Sequence, residues 1–258
     1  MAQNANRSDL WIRKFHPAPD ATTRLVCLPH AGGSASFYFP TSRALAPTTE
    51  VLAVQYPGRQ DRRSERCRES IAELADEVTK ELLPFTDRPL ALFGHSMGAT
   101  IAFEIAQRLE TRGITPLALF ISGRRAPTLD RPENLHMLDD QALIEELAKL
   151  NGTNSEILAD EEIMRMSLGA IRGDYKAISS YRWQPGPPIR TPLHVHIGDS
   201  DEQVSRAEAQ EWEHRTTGAF SLTVYAGGHF YLNENASRVL EAISARLTPT
   251  GQDGYVRP

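Results

Sequence analysis

An α/β architecture, with a mainly parallel sheet covered by helices on both faces, is what this sequence predicts. Two observations carry that expectation. Short apolar runs alternate with stretches of helical periodicity along most of the chain. Two of the runs, Leu90–Phe93 and Leu117–Ile121, are apolar throughout, as strands buried on both faces should be. The 258 residues, 40% hydrophobic and 24% charged, suit a single globular domain over residues 1–258 whose core needs no disulfides or metal.

In chain order, strands are expected at Leu25–Leu28, Val51–Val54, Leu90–Phe93, Leu117–Ile121, Leu193–Ile197 and Leu222–Tyr225. Helices are expected at Ser70–Leu83, Ala99–Leu109, Ala207–His214 and Ala236–Leu247. In Ala99–Leu109 the apolar residues Ile101, Ala102, Ile105, Ala106 and Leu109 fall at helical spacing. From Arg124 to Arg182 the alternation stops, and two helical stretches, Asp139–Leu150 and Asp160–Ile178, stand without a strand between them. Leu143, Leu147 and Leu150 share one face of the first, and Asn151-Gly152 reads as its C-terminal cap. The second carries Ile163, Met164, Met166, Leu168 and Ile171. An insertion of this kind either extends the core or covers a cleft. Flexible Met side chains favour a lid over about 124–182, with Met164 and Met166 lining an apolar slot. Gln184–Pro188, rich in Pro, marks the return to the sheet.

The same inventory narrows the function classes. With 28 basic and 33 acidic side chains the net charge is −5, which gives no reason to expect nucleic acid as partner. No apolar run approaches the roughly 20 residues that span a bilayer. The polar segment Met1–Trp11 lacks the apolar core of a secretory signal, so a cytoplasmic location is expected. Two cysteines, Cys27 and Cys67, make no disulfide framework, and no Cys/His cluster has zinc spacing. Neither metal nor cofactor is expected.

Chemistry concentrates in Gly94-His95-Ser96-Met97-Gly98, a G-x-S-x-G string between an expected strand and an expected helix. Flanking glycines permit the tight, strained turn that lifts a serine hydroxyl clear of a sheet. Such a hydroxyl needs a base, itself oriented by an acid, and in this architecture the order along the chain is Ser, acid, His. Gly198-Asp199-Ser200-Asp201, after the strand at Leu193–Ile197, offers two acids. His229 stands in the glycine-rich loop after Leu222–Tyr225. His95 is tied to the turn, and His194 and His196 lie within a strand, so structural roles are expected for them. The amide of Met97 is one oxyanion donor, and Ala31 in Pro29-His30-Ala31-Gly32-Gly33 is the candidate second.

At these residues the likeness becomes specific. Pro29–Ser34, Gln55–Gln60, Phe93–Ala99 with Ala102-Phe103-Glu104, Arg172–Tyr175 and Gly227–Leu232 together resemble type II thioesterases, the free-standing editing hydrolases of polyketide and nonribosomal peptide assembly lines. The likeness runs from about Leu25 to the last helix. It implies an α/β-hydrolase fold and a triad of Ser96, Asp201 and His229. It also implies hydrolysis of acyl thioesters held on the phosphopantetheine arm of carrier proteins, without a cofactor. Glu202 stands where the family acid is usually followed by Pro, and Arg66-Cys67 where the family often has Pro soon after Glu65. A monomer is expected. The arginines Arg59, Arg62, Arg63, Arg66 and Arg68 crowd one loop, and Arg62 and Arg63 are expected to help dock an acidic carrier. The rival readings are a carboxylesterase or lipase, a chain-terminating cyclase, and a non-catalytic binding module on a hydrolase scaffold.

Overall fold

Seven strands form one sheet in the order β1-β3-β2-β4-β5-β6-β7. The computed structural model describes residues 8–129, 131, 133–151 and 161–247, with the side chains of 151 and 161–166 lying outside that set. The strands are β1 (Ile12–Arg13), β2 (Thr23–Leu28), β3 (Thr49–Val54), β4 (Leu90–His95), β5 (Leu119–Ser122), β6 (Leu193–Gly198) and β7 (Phe220–Tyr225). Strands β2 to β7 pair in parallel, and β1 alone runs antiparallel, against β3. All six expected strands are present, each shifted at its ends by a residue or two. Strand β1 was not foreseen, because two residues are too few to show alternation.

Side-chain alternation sorts the core into two layers. Val26, Leu28, Leu90 and Leu92 face α2 (Ile71–Leu82) and α3 (Met97–Thr111), while Leu25, Cys27, Ala91 and Phe93 face the opposite side. On that second side lie α1 (Phe39–Leu45) and the last helix, Ala236–Leu247, which buries Val239, Ile243 and Leu247 at four-residue spacing. Ser70 caps α2, its hydroxyl accepting from the Glu73 amide. Helix α1 went unread because it is only seven residues long, opening on Phe39-Pro40 with little apolar periodicity.

No strand lies between β5 and β6 among the described residues. The insertion contains there a 3-10 turn, Asn134–Met137, followed by α4 (Asp140–Asn151) and α5 (Glu161–Ser180). Leu168, Ile171, Tyr175, Ala177 and Ile178 of α5 are buried in the same core layer as α2 and α3. The later turns of the expected lid are therefore part of the main core. Beyond β6, α6 (Arg206–Gln210) opens with a Ser205/Glu208 capping box and passes into a 3-10 turn, Glu211–Arg215, where one continuous helix over Ala207–His214 was expected. The chain then runs through β7, α7 (Tyr231–Glu234) and α8 (Ala236–Leu247). Among the described residues no helix is long and apolar enough to cross a membrane, and no group of three or more His, Cys, Asp or Glu could hold a metal ion.

Candidate active site

Ser96 sits between β4 and α3 with φ 53° and ψ −116°, a region that a residue with a side chain enters at a cost of about 1–3 kcal/mol. Its neighbours make that turn possible. A Cβ on Gly94 would stand 2.1 Å from the carbonyl oxygen of Gly98, and one on Gly98 would stand 2.1 Å from that of Leu28. The Ser96 amide donates to the Ser122 carbonyl of β5 at 2.8 Å, fixing the turn to the next strand. Its side chain is half-buried at the carboxyl end of the sheet. Met97 opens α3, where first-turn N–H groups have no intrahelical acceptor.

The Pro29–Gly33 turn after β2 leans on this elbow, since the Pro29 carbonyl lies 2.7 Å from where a Gly98 Cβ would be. Gly32, at φ +74°, donates its amide to Asp174 of α5 at 2.7 Å, and Gly33 donates to the His30 carbonyl at 2.9 Å. The Ala31 amide has no protein acceptor among the described residues.

Across the site, the loops after β6 and β7 are pressed together. A Cβ on Gly198 would meet the carbonyl oxygens of Gly227 and Gly228 at 2.2 and 2.3 Å. His229 Nδ1 donates to Asp201 at 2.9 Å (Oδ2) and 3.1 Å (Oδ1), and both residues are buried. Asp201 Oδ1 also accepts the Gln203 amide at 2.8 Å. Asp199 accepts the Gly227 amide at 3.0 Å, which shapes the histidine loop. Of the two acids left open by the sequence, Asp201 is the one in contact with His229.

His229 packs against the residue before Ser96: its ring centroid lies 4.9 Å from that of His95. Both rings crowd Gly123 (φ +59°), where a Cβ would come within 2.8 Å of His95 Cε1 and 3.2 Å of His229 Cε1. His95 Nδ1 is hydrogen-bonded to Ser122 Oγ at 2.9 Å, which in turn is hydrogen-bonded to Tyr231 Oη at 2.7 Å. Burial holds His95 neutral, pushing its pKa well below the usual imidazole range, with the nearby His229 adding to the effect. Burial pushes His30 down to about 3, with smaller contributions from His229 and Arg59. His194 and His196, expected to be structural, bond to Ser221 and Tyr225 within the sheet.

The Pro29–Gly33 turn is held by a group that sequence reasoning missed. Asp174, fully buried on α5, receives both Arg59 amino groups at 2.8 Å as well as the Gly32 amide. Arg59 also donates to the Gly33 carbonyl at 3.1 Å and lies over the Tyr56 ring at 5.2 Å. The two ion-pair partners stand 115 residues apart, and both lie in blocks that the sequence singles out, Gln55–Gln60 and Arg172–Tyr175. Nothing in either block alone says that they meet.

Residues 23–247 match the family described as "Thioesterase domain". The chain belongs to the thioesterase family. It is 48% identical over 245 residues to thioesterase PikA5 of Streptomyces venezuelae, covering 94% of this chain and 87% of that one. It is 48% identical to the probable cadicidin biosynthesis thioesterase of Streptomyces griseus, covering 93% of this chain but 66% of that longer one. Among solved structures, the type II thioesterase BorB from the borrelidin biosynthetic cluster superposes with a TM-score of 0.90 at 50% identity, over 93% of this chain and 98% of that one. The type II thioesterase YbtT, from the yersiniabactin NRPS/PKS pathway, gives 0.81 at 33% identity over 92% and 98%. The likeness to type II thioesterases drawn from the motifs therefore holds over nearly the whole chain, and the α/β-hydrolase fold with it.

One expectation about this thioesterase changes. Arg62, expected on a docking rim, is buried: it donates to both Glu65 oxygens and to the Gln55 carbonyl at 2.7 Å, with its guanidinium 4.2 Å from the Trp11 ring centroid. Arg59 is equally committed; of the five arginines Arg63 and Arg66 are exposed, while Arg68, partly buried, pairs with Glu73 and Glu77. The crowding that looked like a docking patch is largely internal structure. Met164 and Met166 fall in the first turns of α5, and their side chains lie outside the described residues.

Proposed function

We propose that this thioesterase hydrolyses acyl thioesters carried on the phosphopantetheine arm of carrier proteins, using Ser96, His229 and Asp201 as a catalytic triad. The observation that carries the reading is the buried His229–Asp201 pair beside a serine on a strained elbow. Ser96 Oγ attacks the thioester carbonyl while His229 Nε2 takes its proton, and Asp201 stabilises the imidazolium through Nδ1–H. The negative oxygen of the tetrahedral intermediate is received by the amides of Met97 and Ala31. Collapse expels the thiolate, which takes the proton from His229. Water, deprotonated by the same imidazole, then releases the acid and restores Ser96. The commitment of Gly32 and Gly33 to internal acceptors supports Ala31 as the second donor.

Relatives named for the borrelidin cluster and the yersiniabactin pathway support a role on a polyketide or nonribosomal peptide synthase. In this reading the protein edits that synthase as a separate, monomeric, cytoplasmic enzyme. Arg63, exposed on its loop, remains a candidate contact for an acidic carrier, and Met164 and Met166 remain candidates for lining the acyl slot. A serine-directed fluorophosphonate should label the protein once, at Ser96, with loss of propionyl-thioester hydrolysis. Labelling elsewhere overturns the triad. A matched p-nitrophenyl ester hydrolysed faster than the thioester would instead favour a carboxylesterase.

A further inference from the structure

Ser96 and His229 stand on loops that the sheet does not make neighbours. The elbow follows β4 and the histidine loop follows β7, with β5 and β6 between them in the sheet. Backbone contact at Gly198 joins the loops after β6 and β7 to each other, but it does not set that pair against the elbow. A general base has to come within hydrogen-bond reach of the hydroxyl it activates. A misplacement of about 1 Å can cost about a hundredfold in rate. The spacing therefore needs a tie that crosses the two intervening strands.

Ser122, the last residue of β5, makes bonds on both sides. Its carbonyl accepts the Ser96 amide at 2.8 Å. Its hydroxyl is hydrogen-bonded to His95 Nδ1 at 2.9 Å and to Tyr231 Oη at 2.7 Å. His95 is the covalent neighbour of Ser96 and pairs in register with Ser122 across the β4–β5 ladder. Tyr231 stands two residues beyond His229 and opens α7. The side chains of all three are buried. The chain leaving β7 is thus fastened on β5, at the residue that also holds the elbow.

The His95 ring completes the tie. It lies 4.9 Å from the His229 ring, tilted by 42°, and 5.0 Å from the Phe230 ring, so it forms a wall against which the base packs. Burial keeps His95 neutral, and it therefore supports His229 without repelling the imidazolium formed there. Two buried hydroxyls gain little net stability over apolar groups of the same shape, because each gives up its bonds to water. What they add is a fixed distance and direction between elements.

We propose that Ser122 is a positioning residue for thioester hydrolysis, its hydroxyl clamping His95 to Tyr231 and so setting the spacing of Ser96 and His229. That role rests on the triad reading given above. Ser122, His95 and Tyr231 touch no substrate and carry no proton of the reaction; they act through the nucleophile and the base.

Tyr225 supplies a matched control. Its ring stacks on that of Tyr231 at 5.0 Å and 14°, and its hydroxyl is hydrogen-bonded to another buried histidine, His196, at 2.9 Å. Tyr231→Phe and Tyr225→Phe each remove one hydroxyl from the same stack, and only the first cuts the clamp. Tyr231→Phe should lower kcat on a propionyl thioester about tenfold while KM stays within about twofold of wild type. Fluorophosphonate labelling of Ser96 should slow by the same factor. Tyr225→Phe should leave both rates unchanged, even where its melting temperature falls as far. Ser122→Ala should be at least as slow as Tyr231→Phe, and the double variant no slower than Ser122→Ala alone, because both changes cut one chain. Equal kcat losses in the two Tyr→Phe variants overturn the proposal, as do a loss confined to KM or losses that multiply in the double variant. If wild type is labelled at Ser96 and Tyr231→Phe is labelled just as fast, the clamp fails and the triad stands. If wild type is not labelled at Ser96, the triad reading fails and the clamp falls with it.

Discussion

The two sides of the candidate active site are held in place by different physics. On the proposed acid–base side, His229 and Asp201 stand on loops after adjacent parallel strands, and these loops touch through backbone where only glycine fits, at Gly198. Their geometry follows from the sheet itself. On the proposed oxyanion side, the Pro29–Gly33 turn depends on an ion pair between Arg59 and Asp174, which belongs to a helix inserted over a hundred residues later. The first side is positioned by covalent neighbours and backbone contact. The second is positioned by a buried charge, which is costly to leave unpaired. The insertion is therefore tied to the sheet below, because one of its turns holds the Pro29–Gly33 turn through Asp174.

The largest effects should come from the acid–base side and spare the fold. Ser96→Ala and His229→Ala should each lower kcat by about 10³-fold or more, and Asp201→Asn by about 10³–10⁴-fold, with melting curves close to wild type. Asp199→Asn should cost far less, since that carboxylate holds only the Gly227 amide. An Asp199→Asn enzyme as impaired as Asp201→Asn would mean that the acid has been misassigned.

The oxyanion side should fail differently. Asp174→Ala leaves Arg59 buried without its partner and should cost about 3–5 kcal/mol in urea unfolding, along with activity. Replacing the pair by apolar groups, Arg59→Met with Asp174→Leu, should recover much of that stability. It should still lower kcat by about tenfold to a hundredfold, because the Gly32 amide has lost its anchor. A double mutant with wild-type kcat would show that the turn holds itself and would erase the contrast between the two sides.

A pair of glycine substitutions sharpens the same contrast. Gly123→Ala places a methyl 2.8 Å from His95 and 3.2 Å from His229, at a positive φ, and should lower kcat by about tenfold through a displaced imidazole. Gly169→Ala, on the exposed face of α5 with open space around it, should leave kcat alone and add about 0.5–1 kcal/mol of stability. Equal losses in both would point to general loosening of the insertion.

How much of this was legible in the sequence divides along the same line. The strands, the elbow and the order of Ser96, acid and His229 could be read because each is a local pattern repeated by a known architecture. The choice of Asp201 over Asp199 came only from the family resemblance, since two residues of loop decide which carboxylate turns inward and no local pattern separates them. Arg59 and Asp174 were each visible as part of a distinctive block, but pairing over 115 residues leaves no local trace. Arg62 misled for a related reason. A run of arginines reads as surface charge, yet Glu65 three residues on and Trp11 near the start of the chain let this one be buried. In the insertion, helical periodicity showed that α5 exists but not that Leu168, Ile171 and Tyr175 join the main core.

The smallest expected effect is on acid stability, and it tests whether both sides share a neutral-histidine core. Burial lowers His30, in the Pro29–Gly33 turn, to about 3, and His196, on β6, also to about 3. An unfolded histidine titrates near 6.5, so between that pH and the folded value the unfolded chain binds the extra proton. The stability due to each neutral ring is thus fully present above about 6.5 and is lost as pH falls toward about 3, at up to about 1.4 kcal/mol per pH unit for each ring. His196→Gln removes one such proton. It should cost stability at pH 7, where the Tyr225 hydrogen bond is disturbed, yet make the decline from pH 6.5 to 4 shallower than in wild type. Urea unfolding at each half pH unit reads the slope directly. Parallel declines in the two proteins would mean that His196 is able to take a proton inside the fold. The sheet under the acid–base loops would then yield more readily than the packing around His30, and the division between a rigid side and a tethered side would have to be redrawn.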